Sequence, residues 1–182
     1  MKTFCLSSLL LIFVIGTSKA DTFTFVPDGR PLTIYVDEEP PSVVQCALTM
    51  FCDDYKYVFG DSPQRVNRDK ADIIVECSEN GEWEHFDISV SRQGRLHVKG
   101  SDPRGTAYGI LEISRLIGIS PWVWWADVPP QKLSSYTLPA GYHNSQQPSV
   151  QYRGIFINDE DYGLNPWSWK THEPKSDKGE IG

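Results

Sequence analysis

The feature that most constrains this chain is an apolar stripe. Val44, Ala47, Leu48, Phe51, Tyr55 and Val58 recur every three or four residues and stop at Gly60, the spacing of a helix with one buried face. Such a helix needs a partner layer. Three runs after it supply one: ADIIVEC (71–77), HFDISVS (85–91) and RLHVKG (95–100) alternate apolar and polar residues as strands do. The last two are joined by Arg92–Gln93–Gly94, short enough for a hairpin.

A second helix is written into SDPRGTAYGILEISRLIG. Asp102 suits the N-cap, Pro103 the first helical position, Ala107, Ile110, Leu111 and Ile117 the buried stripe, and Gly118 the left-handed stop. Upstream, TFTFVPDGRPLTIYV predicts two short strands about a Pro27–Asp28–Gly29 turn. Asp37, Glu38, Glu39 and Pro40–Pro41 are expected to open the first helix, the acids facing its positive end. Two amphipathic helices with four or more strands predict a small two-layer α/β domain.

The first twenty residues, MKTFCLSSLLLIFVIGTSKA, have the three-part pattern of an export leader cleaved after Ala20. Their apolar run is shorter than the roughly 20 residues that span a bilayer. The mature chain is expected to be secreted or periplasmic, with no membrane segment. Removing Lys2 and Lys19 with the leader, which holds no acid, takes the formal charge from −7 to −9. That balance argues against nucleic acid, whose phosphates call for clustered Lys and Arg.

Cys46, Cys52 and Cys77 remain after the leader is lost. An odd number without C-x-x-C or His spacing predicts neither a disulfide framework nor a metal site, and the three are expected to be small buried residues. His85, His97, His143 and His172 show no motif spacing. GSDPRGTAYG lacks the glycine spacings of a nucleotide loop, and capping explains it without a ligand. No cofactor is expected.

After Gly118 the composition shifts. ISPWVWWADVPP holds Trp122, Trp124 and Trp125, and QKLSSYTLPAGYHNSQQPS is polar and without periodicity, a linker or a strap across a neighbouring domain. The tryptophans suit sugar stacking and domain packing alike, as do Trp167 and Trp169. In QYRGIFINDED, strand alternation puts Gly154, Phe156 and Asn158 on one face and Ile155 and Ile157 on the other. Were this a barrel strand, Asn158 would point to the mouth where barrel enzymes keep their sites. Asp159 and Glu160 then offer acceptors or acid/base groups. The alternative is a solvated loop of turn formers.

Taken in order, GSDPRGTAYGILEIS, ISPWVWWADVP, PSVQYRGIFINDED and KGEIG resemble the N-terminal part of glycoside hydrolase family 115, the xylan α-1,2-glucuronidases. The resemblance runs from about residue 31 to residue 182. It implies a leader (1–20), an N-terminal α/β domain with its Trp-rich connector (21–140), then a linker and the first strand of a truncated (β/α)8 barrel (141–182). It implies inverting hydrolysis of glucuronic or 4-O-methylglucuronic acid side chains of glucuronoxylan, with the acid and base beyond residue 182 and the chain alone inactive. Asn158 carries over as a contact to the sugar, with Asp159, Glu160 and Trp167 as supporting substrate-binding residues. Two other readings stay open: a non-catalytic carbohydrate-binding or interaction module, and a related exo-acting barrel glycosidase.

Overall fold

The computed structural model describes residues 22–78, 82–126, 128–154 and 156, with Trp124 and Trp125 described in backbone only. Among these residues eight strands and three α-helices follow in order: β1 (Phe23–Thr24), β2 (Thr33–Tyr35), α1 (Ser42–Phe59), β3 (Gln64–Arg65), β4 (Ile73–Cys77), β5 (Phe86–Val90), β6 (Leu96–Gly100), α2 (Pro103–Leu116), α3 (Trp122–Trp125), β7 (Thr137–Leu138) and β8 (His143–Gln146). Six strands form one sheet in the order β3-β2-β4-β6-β5-β8, and β1 pairs with β7 in a separate ladder. The first four strands of the sheet run parallel, while β5 runs antiparallel to both β6 and β8. This is the expected two-layer α/β arrangement.

All six residues of the α1 stripe are buried, and they meet Ile110 and Ile113 of α2 and Ile73, Val75, Ile88 and Val98 of the sheet in one core. Both helices stop on a left-handed glycine, Gly60 at φ 88° and Gly118 at φ 97°, where a side chain would clash with the backbone. Asp102 caps α2 as expected, its carboxylate accepting from the Gly105 N–H at 2.6 Å. Gly109 lets α2 approach the sheet, because a Cβ there would lie 2.7 Å from Val98 Cγ1.

Several expectations are corrected. The acids 37–39 precede α1 rather than opening it: Pro41 stands at the cap and no acid lies in the first turn. The reason is local, since a proline disfavours helical geometry in the residue before it, so the helix cannot start ahead of Pro41. The two N-terminal strands form on either side of the Pro27–Asp28–Gly29 turn as expected, and they enter different sheets, β1 joining β7 and β2 the main sheet. The cysteines are free, but Cys46 is exposed and Cys52 and Cys77 are only half buried. Cys46 falls outside the α1 stripe and so on its solvent side.

The polar segment after α3 is a strap across its own domain. The Leu133 N–H donates to the Val58 carbonyl at 3.1 Å, Tyr136 packs its ring on Phe25, Leu138 is buried, and β8 closes the sheet edge. The described residues up to Pro148 form one compact unit and Ser149 opens a second. Among the described residues of the second unit no strand is assigned, and Tyr152 and Phe156 are exposed. The expected barrel strand QYRGIFIN is not formed at residues 151–154, and Ile155, Ile157 and Asn158 lie outside the described residues.

Candidate functional site

Among the described residues the helices α1 and α2 cover one face of the sheet, and the other, more open face carries mostly polar side chains around a buried Ile74. Strand alternation puts two cross-strand rows on that open face: Tyr35–Ile74–His97–Ser89–His143, and Glu76–Lys99–Asp87–Ser145. At the β5–β8 end, two imidazoles approach the two oxygens of one carboxylate. His143 Nε2 lies 3.3 Å from Asp87 Oδ1 and His85 Nε2 lies 3.8 Å from Asp87 Oδ2. His85 also reaches Glu82 through Nδ1 at 3.3 Å and the Ser145 hydroxyl through Nε2 at 3.0 Å.

This cluster joins residues far apart in sequence, and spacing does not reveal it because β8 has no apolar period to mark it as a strand. Strand alternation along 85–91 puts His85, Asp87 and Ser89 on one face, the one local signal of the cluster. The two imidazoles flank the two Asp87 oxygens, so the cluster is a polar contact between the start of β5 and β8. Among the described residues no set of three or more His, Cys, Asp and Glu side chains is arranged to hold a metal ion.

The other end of the face is cationic and aromatic. Arg68 stacks over Tyr35 with its guanidinium 5.7 Å from the ring centre and bonds Glu76 at 2.8 Å. Beside it, burial pushes the His97 imidazole below its ordinary value, and the charges of Arg68 and Arg95 push the same way against Glu76. His97 is therefore a neutral structural histidine at neutral pH.

The glycine-bearing loop before α2 holds no anion site. Asp102 takes the Gly105 N–H with one oxygen and the Glu84 N–H with the other, and Arg104 pairs with buried Glu84 at 3.1 Å. Trp122 is exposed. The candidate substrate contacts Asn158, Asp159, Glu160 and Trp167, and with them Trp169, lie outside the described residues.

Comparison with known proteins adds what this geometry does not contain. The family profile of glycosyl hydrolase family 115 matches residues 145–180. A solved family GH115 4-O-methyl-alpha-glucuronidase, BtGH115A, with specificity for decorated arabinogalactans, is 42% identical over 88% of this chain, with a TM-score of 0.78. The chain belongs to glycosyl hydrolase family 115. It spans 23% of that relative's length. The chitobiase of Flavobacterium johnsoniae shares the fold, with a TM-score of 0.50 at 16% identity, over 74% of this chain and 20% of the chitobiase. No curated protein matches. The family 115 profile begins inside β8 and contains Asn158, Asp159, Glu160 and Trp167.

Proposed function

We propose that this chain is the N-terminal part of an exported family 115 enzyme that removes glucuronic or 4-O-methylglucuronic acid side chains from xylan by inverting hydrolysis. The observation that carries the reading is the 42% identity to a 4-O-methyl-alpha-glucuronidase across 88% of the chain. Inversion needs an acid and a base carboxyl roughly 6.5–9.5 Å apart with a water between them. Those two groups belong to sequence beyond residue 182. In this chain Asn158 contacts the sugar by donating and accepting through its amide, while Asp159, Glu160 and Trp167 line the rim. The α/β domain is a non-catalytic support, and the chain alone does not hydrolyse.

A second reading, that the polysaccharide is a decorated arabinogalactan, follows from the specificity of the same relative. The deciding experiment compares the 182-residue chain with the longer product of the same reading frame. Release of 4-O-methylglucuronic acid is followed on glucuronoxylan and on a decorated arabinogalactan. The longer product is expected to act on xylan and the short chain on neither. Release by the short chain would overturn its assignment as inactive, and release from arabinogalactan alone would replace xylan as substrate.

A further inference from the structure

The strand in which the family 115 match begins carries no apolar side chain. β8 reads His143–Asn144–Ser145–Gln146, and only Asn144 is partly sheltered. An edge strand of this composition gains little from burial, and without an apolar pattern its register is weakly specified. Polar contacts must hold it.

Its side chains alternate between two grips. His143 and Ser145 meet Asp87 and His85 on the open face, while Asn144 and Gln146 turn to the helix layer. There both converge on Glu112 of α2, which is only 8% exposed. Asn144 Nδ2 donates to Oε1 at 2.9 Å and Gln146 Nε2 to the same oxygen at 3.3 Å. Arg115 holds the carboxylate from its own helix, Nε to Oε2 and Nη2 to Oε1, each at 2.6 Å. That bidentate pair compensates the sheltered charge and fixes its plane. A one-residue slip of β8 would bring His143 and Ser145 to the helix side and take both amide donors off Glu112.

We propose that Glu112 is the positioning residue that sets the register of β8, and so fixes where the family-matched segment leaves the α/β domain. Its bearing on catalysis rests on the glucuronidase reading; the lock itself does not. Hydrogen exchange of the β8 amides in the 182-residue chain tests it, because activity is not read and the lock stands or falls alone. In Glu112→Ala these amides should exchange roughly tenfold faster or more, as expected for losing hydrogen bonds to a charged acceptor, while β4 and β6 keep their protection. Glu112→Gln retains an Oε1 acceptor and should restore most of the loss. Should Glu112→Ala fail to fold, the Asn144→Ala/Gln146→Ala double variant removes the donors, leaves the Arg115 pair in place, and should loosen β8 alone. Unchanged β8 exchange, a loss shared equally by β4 and β6, or a Gln variant no better than Ala would overturn the proposal.

Discussion

Arg30 meets Asp72 in a two-pronged pair, Nη1 to Oδ2 at 2.5 Å and Nη2 to Oδ1 at 2.6 Å. The same carboxylate accepts the Thr33 N–H at 2.9 Å and the Thr33 hydroxyl at 2.7 Å, so it ties the start of β2 to the start of β4. Burial alone would raise its pKa, but the bonds from Arg30 and Thr33 outweigh burial and hold it below the ordinary value of 3.8. A depressed carboxyl stabilises the fold fully above its ordinary value, and that contribution is lost as pH falls through the depressed one. Asp72→Asn should therefore flatten the stability curve below about pH 4. At neutral pH Asp72→Ala should cost about 1–3 kcal/mol by denaturant melt.

His97 predicts a second, higher window. Its folded value lies below the ordinary 6.5, so the neutral form is favoured in the fold and protonation costs stability. The contribution is present above about pH 6.5 and fades as pH falls from there toward the depressed value. His97→Gln should remove the slope that begins below about pH 6.5 while leaving the Asp72 window in place, as measured by thermal melts across pH.

Tyr55 is the buried polar anchor of α1. Its hydroxyl donates to the Phe25 carbonyl at 2.5 Å, and burial, aided by the charges of Asp61 and Asp72, pushes the phenol up to about 12. Tyr55→Phe leaves that carbonyl without its side-chain donor and should lower stability by about 1–3 kcal/mol. Retained stability would show that solvent reaches the carbonyl.

Gly105 predicts a backbone clash. A Cβ there would sit 2.3 Å from the His85 carbonyl oxygen, which accepts the Ser101 N–H and so cannot move freely. Gly105→Ala should destabilise by about 1–3 kcal/mol despite alanine's better helix propensity. A neutral melt would mean that the loop before β5 yields.

The thiols should differ in rate. Cys46 is exposed, whereas burial and then the charge of Asp53 push the Cys52 thiol up, disfavouring the reactive thiolate. A thiol-disulfide reagent at pH 8 should label Cys46 first. Equal rates in the Cys46→Ser and Cys52→Ser variants would contradict this ordering.

Sequence alone determined the elements whose causes are local. The α1 stripe, the Asp102 cap, the glycine stops and the β5–β6 hairpin were legible because each depends on residues within a turn or two of one another. The motif order also pointed to family 115, which identity to a solved glucuronidase bears out. Tertiary structure alone decided the fate of residues 130–146. Leu138, Asn144 and Gln146 look like linker in isolation, and they become structure only because Phe23, Glu112 and Asp87 stand ready on elements far away in the chain. The meeting of His85 and His143 on Asp87 has the same origin. A polar edge strand has no apolar period to announce it; its signal lies in its partners.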